Sequence, residues 1–291
     1  LRKKTKSKKV IFVTYQSSAV FAKAAKLARR SVDFAILDEA HKTAGGKGKA
    51  FSTLIFDENV KIHRRMFMTA TERTIRGKSD EVVSMDDPAQ YGESFHCLSF
   101  KAAINSSPQI ISDYKIVTMC ISQSKIAELV ESREKITNKK VQIDNQDARV
   151  IAAGIALRKA CRKYKIKHAI SFHRSIKAAE SFTELHNNLN GISALRPLLE
   201  NLHISGKKTT GERAEILTTF EQSKRALLTN ARCLTEGVDV PAIDCVLFAD
   251  PKQSVVDIVQ AAGRALRTCS GKKFGYIMLP LVVPDDLEID K

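Results

Sequence analysis

The 291-residue chain has 43% hydrophobic and 27% charged residues, a balance that is ordinary for a globular protein. No apolar run approaches the roughly 20 residues that a membrane-spanning helix needs, so the sequence predicts no membrane insertion. The formal net charge of +16 favours a polyanionic partner but does not separate DNA from RNA or from an anionic membrane surface.

The first part of the chain is predicted to alternate strands with helices. Short apolar runs at 10–13, 34–37 and 66–68, the first of them rich in β-branched residues, are typical of strands buried in a parallel sheet. A further helical stretch is predicted at 50–56. Residues 19–30 have helical periodicity, with an apolar face formed by Val20, Phe21, Ala24, Leu27 and Ala28. This alternation indicates an open parallel α/β sheet.

Residues 77–112 lose this pattern and are predicted to form a connector, because they are polar and contain Pro88, Gly92 and Pro108. A second α/β lobe then begins near residue 113. Its predicted strands are 115–119, 169–172, 202–204, 226–229, 245–248 and 276–279, and its predicted helices are 123–136, 147–164, 175–188 and 254–266. The predicted domains are therefore 1–112 and 113–291.

The cysteines and the basic N-terminal run bear on where the protein works. The six cysteines have no pair at metal-ligand spacing, and we interpret them as buried, reduced thiols of a cytoplasmic protein. The basic run at 2–9 could be a nuclear import signal or a nucleic-acid patch, but such runs are more often solvated loops or helix ends. Lys159, Lys163 and Lys165 are likewise predicted to be solvent-exposed residues of a helix face.

An acidic pair follows the second predicted strand, in the segment Leu37-Asp38-Glu39-Ala40-His41. In open parallel sheets ligands bind beyond the carboxyl ends of the strands, so both carboxylates are expected to face that crevice. Adjacent acids suit phosphoryl chemistry, in which one carboxylate holds Mg²⁺ and the other deprotonates an attacking water. A surface turn that happens to be acidic is the alternative interpretation.

Three further segments carry polar residues at strand ends or on one helix face. Thr69-Ala70-Thr71 places two hydroxyls after a predicted strand, and the segment 229–239 contains Thr229, Gly237 and Asp239. In the segment 260–267, Arg264 and Arg267 lie three residues apart on one helix face, after Gln260 and Gly263. Such a pair could stabilise charge on a γ-phosphate, although isolated arginine pairs are more often solvated.

In order and spacing these segments resemble the superfamily 2 helicases and translocases of the branch with a DEAH-type motif II. Asp38-Glu39-Ala40-His41 matches motif II and Thr69-Ala70-Thr71 matches motif III. Residues 229–239 match motif V, and residues 260–267 fit the motif VI pattern Gln-x-x-Gly-Arg-x-x-Arg. Residues 170–173 are similar to motif IV, and residues 13–16 to the strand end that precedes motif II. The resemblance covers nearly the whole chain and implies two tandem RecA-like lobes with parallel sheets.

The resemblance also implies a role for each matching residue. Asp38, with Glu39 beside it, would hold the Mg²⁺ of ATP, Glu39 would be the general base, and His41, Thr69 and Thr71 would couple the nucleotide state to lobe closure. The nucleotide-binding residues of the second lobe would be Gly237, Asp239, Gln260 and Gly263, and Arg264 and Arg267 would complete the catalytic site in the cleft between the lobes. Nucleic acid would lie along Thr14, Gln16, His173 and Thr229, mainly through its phosphates, although His173 could equally be a strand-end residue without a ligand.

One part of the family pattern is missing, because no Gly-x-x-x-x-Gly-Lys-Ser/Thr phosphate loop precedes the acidic pair. Gly77-Lys78-Ser79 has the right ending, but Glu72 stands where the first glycine should be. The other Gly-Lys pairs, including Gly271-Lys272, are predicted to be basic loops. Only 37 residues precede Asp38, so the first lobe is expected to be truncated at its N-terminus, and this chain alone should bind ATP weakly and hydrolyse it negligibly.

The leading hypothesis is therefore an ATP-dependent helicase or translocase that acts on nucleic acid. DNA is favoured over RNA because residues 67–73, 113–115 and 235–239 resemble bacterial and phage helicase-like proteins, including restriction motor subunits. An RNA helicase is the alternative within this class. A non-catalytic nucleic-acid-binding module is disfavoured because both acids and both arginines are present. A nuclease is not indicated, since no second set of paired carboxylates with a nearby Lys stands out.

Overall fold

The computed structural model describes residues 8–46, 48, 50–77, 81–122, 124, 128, 145–191, 196–231, 243–249 and 255–283. The chain divides into two compact units, Leu1–Cys97 and Leu98–Lys291. Residues 98–112, which the sequence analysis assigned to the end of the first domain, therefore group with the second unit.

The first unit contains two short sheets and few long elements. Its described elements are α1 (Ser18–Leu27), β1 (Val32–Leu37), β2 (Gly45–Gly46), β3 (Ile62–Phe67), β4 (Val82–Val83) and α2 (Pro88–Tyr91), with 3-10 turns at Tyr15–Ser17, Ala40–Thr43 and Ala50–Ser52. Strands β1 and β3 pair in parallel, so that Leu37 lies beside Phe67, and β2 pairs with β4 in antiparallel fashion. The predicted strands at 34–37 and 66–68 thus form one parallel pair.

Two predictions for the first unit are wrong. Residues 10–13 are not a strand: Val10 is 78% and Phe12 is 95% exposed, and no described strand lies beside them to accept their backbone hydrogen bonds. The stretch predicted as a helix at 50–56 forms only the 3-10 turn at Ala50–Ser52.

Helix α1 forms where periodicity predicted a helix, but it buries a different face. Val20 and Leu27 are 72% and 70% exposed, whereas Ala22 and Ala25 are buried against Val60 and Ile62. Phe21 also packs against this cluster, so part of the predicted apolar face is buried, whereas Val20 and Leu27 remain on the outside of the helix.

The second unit is built on one six-stranded, all-parallel sheet. Its described strands are β5 (Asp113–Ser122), β6 (His168–Phe172), β7 (Glu200–Ile204), β8 (Ala226–Asn230), β9 (Cys245–Phe248) and β10 (Phe274–Val283), arranged in the order β5-β10-β9-β6-β8-β7. Its described helices are α3 (Phe100–Ile104), α4 (Asn145–Lys163), α5 (Ile176–Leu189), α6 (Thr210–Gln222) and α7 (Val255–Ala265). The predicted α/β class is confirmed. The helix predicted at 123–136 lies almost entirely outside the described residues.

Both faces of this sheet are buried, which explains why its strands are apolar without alternation. In β6, Ala169 belongs to a core that α4 and α5 cover, whereas its neighbour Ile170 belongs to a second core on the opposite face. Leu227 and Leu228 of β8 divide between the two cores in the same way. The unit is therefore a three-layer sandwich in which one sheet lies between two sets of helices.

The prediction that all cysteines are buried is wrong. Cys161 and Cys245 are buried, but Cys120 is half-buried and Cys97 and Cys269 are exposed, and none of the five described cysteines forms a disulfide. Burial raises the pKa of the Cys161 thiol to about 12, so this thiol stays protonated.

Candidate nucleotide and nucleic-acid site

The acidic pair lies at the carboxyl end of β1, as the sequence predicted. Asp38 is exposed and Glu39 is half-buried, directly after the buried end residue Leu37. The backbone of Glu39 has φ 51° and ψ 45°, in the left-handed region that residues other than glycine seldom adopt. The Glu39 N–H donates to Asp38 Oδ1 over 2.9 Å. The two adjacent carboxylates therefore follow a sharp turn in which the first one caps the backbone of the second.

Two backbone hydrogen bonds join this turn to the residues after β3. The Met68 N–H donates to the Leu37 carbonyl at 3.0 Å, and the Ala40 N–H donates to the Met68 carbonyl at 2.8 Å. Because β1 and β3 are adjacent and parallel, their carboxyl ends meet at one edge of the sheet. The topology thus brings together the segments 38–41 and 69–71, which the sequence separates by 27 residues and more.

One hydroxyl oxygen connects these two segments. Thr69 Oγ1 donates to the Thr71 carbonyl at 2.9 Å and accepts from the Thr71 N–H at 3.2 Å. It also lies 3.1 Å from His41 Nδ1, which is 3.3 Å from Glu39 Oε2. Since the hydroxyl proton is directed to Thr71, we assign the proton of the His41 ring to Nδ1, facing Thr69 and Glu39. The structure therefore brings Glu39, His41, Thr69 and Thr71 into one network.

Tyr15 is a residue of this site that the sequence analysis did not assign. Its hydroxyl donates to the Asp38 carbonyl over 2.6 Å, and its ring stacks on Phe51 with centroids 5.7 Å apart. Burial, with the nearby carboxylate of Asp38, raises the Tyr15 pKa to about 12, so the phenol remains a donor at neutral pH. Its flanking residues Thr14 and Gln16, predicted to contact nucleic acid, are both exposed. The only signal in the sequence was the position of Tyr15 between those two.

In the second unit, two predicted contact residues are buried at the ends of adjacent strands. His173, after β6, is 3% exposed, and its Nε2 lies 2.9 Å from Ser171 Oγ. Thr229, in β8, is fully buried, and its Oγ1 lies 2.6 Å from Thr183 Oγ1 and 3.0 Å from His203 Nδ1. The contacts of Thr229 join β8 to α5 and β7, whereas the contact of His173 with Ser171 stays within the end of β6.

The arginine segment begins on α7 and continues beyond its end. Arg264 is 6% exposed on the helix, and the backbone of Arg267 forms an isolated antiparallel bridge with Ile111. Gly275 of β10 lies so close to the helix end that a Cβ there would be 2.2 Å from the Ala265 carbonyl oxygen. A glycine is therefore required for this approach. Gly263 lies on the same helix, the side chain of Gln260 is outside the described part of the chain, and so are Gly237 and Asp239.

Two residues outside the predicted motifs hold the backbone of the arginine segment. The Ser112 N–H donates to the Leu266 carbonyl at 2.6 Å. The Lys272 ammonium donates to the Arg267 carbonyl at 2.8 Å and to the Ile243 carbonyl at 2.7 Å. Burial lowers the pKa of Lys272. The sequence placed Lys272 in a basic loop, because nothing local shows that its ammonium bonds two carbonyls rather than water.

The donor set at the acidic pair fits a magnesium ion that arrives with a nucleotide. Mg²⁺ prefers carboxylate oxygens and is usually held by one or two of them together with substrate phosphates. Asp38 offers an exposed carboxylate next to that of Glu39. Within the described ranges, no three His, Cys, Asp or Glu side chains are grouped as an all-protein metal site would require.

Comparisons with known proteins agree with this architecture. Residues 153–269 match the helicase conserved C-terminal domain. The chain is 27% identical over 279 residues to the probable helicase A859L of African swine fever virus (isolate Pig/Kenya/KEN-50/1950). The alignment covers 94% of this chain and 28% of that protein. The chain thus spans little more than a quarter of the length of this relative.

Two solved structures are also similar. The ATP-dependent Type ISP restriction-modification enzyme LlaBIII bound to DNA superposes with a TM-score of 0.75 and 29% identity, over 94% of this chain and 20% of that one. A nuclease-deletion mutant of the Type ISP enzyme LlaGI, in complex with a DNA substrate mimic, superposes with a TM-score of 0.56 and 28% identity. The superposition covers 92% of this chain and 17% of that one.

The fold, the family match and the structural similarity together support a superfamily 2 helicase-like fragment with RecA-like α/β architecture. Among the described helices, none combines the length and the apolar character that a bilayer crossing demands.

Proposed function

We propose that this chain is part of a motor that hydrolyses ATP and uses the energy to move along nucleic acid, with DNA as the track. The observation that carries the proposal is the network of Glu39, His41, Thr69 and Thr71 at the carboxyl ends of two adjacent parallel strands. In open parallel sheets that edge is where ligands bind.

Each member of the network has a distinct task in this proposal. When bound, ATP with Mg²⁺ would supply the phosphoanhydride bond, and Asp38 would hold the ion through its exposed carboxylate. Glu39 orients a water molecule and accepts its proton as that water attacks. The Nδ1–H of His41, 3.3 Å from Glu39 Oε2, directs the carboxylate. Thr69 connects this histidine to Thr71, so a shift of the 69–71 segment alters the position of the base.

The second unit contributes positive charge and nucleotide contacts in this proposal. Arg264 and Arg267 stabilise the charge that develops on the γ-phosphate, and a guanidinium suits this task because it is always protonated and donates in a planar fork. Gln260 and Gly263 on the same helix, with Gly237 and Asp239, contact the nucleotide.

Nucleic acid is proposed to contact Thr14 and Gln16, which are exposed on either side of Tyr15. Because Tyr15 donates to the Asp38 carbonyl, a contact made by its neighbours can be transmitted to the acidic pair. His173 and Thr229 are buried. We therefore propose that they position the strand ends along the nucleic acid and do not themselves bind its phosphates. DNA is favoured because the two similar Type ISP structures are described as bound to DNA or to a DNA mimic.

The test is Glu39→Gln in the full-length protein that carries this chain. DNA-stimulated ATP turnover should fall by about 100-fold or more, because a positioned general base contributes a factor of about 10² to 10⁴. ATP affinity, measured with a fluorescent nucleotide, should change by no more than about twofold. Asp33→Asn, an exposed carboxylate on the same strand, is the matched control and should leave turnover unchanged.

Retention of turnover in Glu39→Gln would show that Glu39 is not the base. Stimulation by duplex RNA that equals or exceeds stimulation by duplex DNA would contradict the DNA assignment while leaving the motor proposal in place.

A further inference from the structure

Five exposed lysines gather at one edge of the second unit, and we call this surface the basic edge. One ends α4, two lie in the turn from α4 to β6, one precedes β8 and one precedes β10: Lys163, Lys165, Lys167, Lys224 and Lys273. All six strands are parallel and begin within a few residues of one another in register, so their amino ends lie along one edge of the sheet. The basic edge is therefore the edge opposite the carboxyl ends, where His173 and Thr229 lie.

The local structure directs the first three lysines outward. Tyr164 is half-buried and Ile166 is fully buried. The three lysines alternate with these two residues along the chain, and all three are exposed. Lys165 has φ 56°, which turns the chain sharply from the helix into the strand. The Lys167 carbonyl accepts the Ala226 N–H at 2.8 Å, which places the turn before β6 beside the turn before β8. Adjacent strands are about 4.8 Å apart, so these charges are closely spaced.

The five ammonium groups are not neutralised by described acidic side chains. None of them makes an ion pair or a hydrogen bond with a described residue. Asp244, the acid nearest the turn before β6, directs its carboxylate to the backbone N–H groups of Lys167 and His168, at 2.9 and 3.1 Å. Glu200, the first residue of β7, bonds the Ser223 hydroxyl.

Aromatic rings lie between the lysines. Tyr164 stacks on Tyr276 with centroids 5.0 Å apart, and the Lys163 ammonium lies 5.5 Å from the Tyr164 ring. Phe274 has the ammonium groups of Lys115 and Lys273 at 4.4 and 5.5 Å from its centroid. Rings of this kind fix lysine stems in place and offer partly exposed faces, a combination typical of surfaces that track a nucleic-acid backbone.

Helix dipoles explain only part of the charge. Lys163 is in the last turn of α4, where a cation is stabilised by the carbonyl end of the helix. Lys165, Lys167 and Lys273 lie outside helices, so the dipole does not account for them. A row of uncompensated like charges repels itself unless a polyanion neutralises it.

We propose that the basic edge is a second nucleic-acid-binding surface, which holds the phosphate backbone on the side of the second unit opposite the strand ends that carry His173 and Thr229. This inference rests on the proposed function and adds to it a contact that no motif supplies. Strands of five residues separate the two edges by about 16 Å, so a strand held at the basic edge is distinct from one held at the carboxyl ends. We infer that the motor grips nucleic acid at a point outside its track.

The experiment uses the 291-residue chain and fluorescence anisotropy with a labelled 20-nucleotide dT oligomer and a 20-base-pair duplex, from 50 to 200 mM NaCl. The variant Lys163→Gln, Lys165→Gln, Lys167→Gln should raise the Kd at least tenfold at 100 mM NaCl. Its log–log salt slope should become shallower by about 2 on the single strand or nearly 3 on the duplex, as three lost phosphate contacts require. A second variant, Lys224→Gln with Lys273→Gln, should also raise the Kd.

The matched control removes three exposed charges from the first unit, Lys23→Gln, Lys26→Gln and Arg30→Gln, and should change the Kd by less than twofold. Equal weakening by both triple variants would overturn the proposal, as would no weakening by either, or no measurable binding by the unsubstituted chain at 50 mM NaCl. Loss of binding to phosphatidylserine vesicles with unchanged oligonucleotide binding would overturn it in favour of a membrane surface. Circular dichroism verifies that each variant is folded. ATP turnover does not enter this assay, so its outcome is separate from that of Glu39→Gln.

Discussion

At the scale of single residues, the hydroxyl of Thr69 determines how the 69–71 segment is connected to the acidic turn. It interacts with the Thr71 N–H, the Thr71 carbonyl and the His41 ring within 3.2 Å. A hydroxyl can donate once and accept twice, so this oxygen uses its full capacity.

Thr69→Val tests this connection, because it keeps the shape of the side chain and removes the hydroxyl. We expect the first unit to lose about 1–2 kcal/mol of stability, since the His41 ring and the Thr71 backbone lose their partner. Urea unfolding followed by far-UV circular dichroism measures the loss. Thr69→Ser retains the hydroxyl and should lose less than half as much. A loss in Thr69→Val no larger than that in Thr69→Ser would mean that the hydroxyl contributes no more stability than the methyl group.

At the scale of elements, α4 and α5 are joined by a buried arginine. Arg158 is 1% exposed, and its guanidinium donates to His186 Nδ1 at 3.2 Å, to the His186 carbonyl at 2.9 Å and to the Pro197 carbonyl at 2.8 Å. Burial lowers the Arg158 pKa to about 10, which still leaves the group charged at neutral pH. The side chain thus connects α4, α5 and the segment that leads into β7.

Arg158→Met should reduce the stability of the second unit by about 3 kcal/mol, because it leaves buried acceptors without a donor. Arg162→Met is the matched control: Arg162 is exposed on the same helix, and its removal should cost less than about 0.5 kcal/mol. Chemical denaturation of both variants gives the comparison. Equal midpoints would show that the Arg158 hydrogen bonds contribute no net stability.

Elements of the second unit could be predicted from the sequence because both faces of its sheet are buried, which leaves short apolar runs that stand out from their neighbours. The run at 10–13 has the same composition but no partner strand among the described residues, and pairing is not a local property. Arg158 and Lys272 could not be predicted either. The sequence shows a basic residue in each case, but only the tertiary structure shows that its charge is directed at buried carbonyls.

The candidate site, like the fold, could be predicted only in part from the sequence. The positions of Asp38, Glu39, His41 and Thr69 follow from parallel topology, which brings strand ends together. The contribution of Tyr15 depends on a hydrogen bond to a backbone carbonyl 23 residues away. No pattern of residue types encodes that contact.

At the scale of the whole molecule, the stability of the protein should depend on pH through its buried histidines. His186 is fully buried, and burial together with the nearby Arg158 guanidinium holds its pKa well below the ordinary value of 6.5. His203 is shifted in the same direction. In the unfolded chain these rings take up protons near pH 6.5, whereas in the folded chain their lowered pKa values disfavour the charged form, most strongly for the buried His186. Stability is therefore complete above that pH and falls as the pH is lowered.

Between pH 6.5 and 5, the free energy of unfolding of the second unit should fall by up to about 1.4 kcal/mol per pH unit for His186. His186→Asn should flatten this dependence, because the amide oxygen can still accept from Arg158 but does not titrate. Denaturation at several pH values measures the slope. An unchanged slope in His186→Asn would assign the pH dependence to other groups.

The left-handed backbone at Glu39 sets two demands against each other. A residue with a Cβ in that conformation costs about 1–2 kcal/mol relative to glycine, and asparagine is among the few side chains that tolerate it. Glycine and asparagine would relax the turn but delete the carboxylate, whereas aspartate would relax it and keep a carboxylate on a side chain one methylene shorter. At this position, ease of folding is therefore set against the reach of the acid, and the chain carries the longer glutamate.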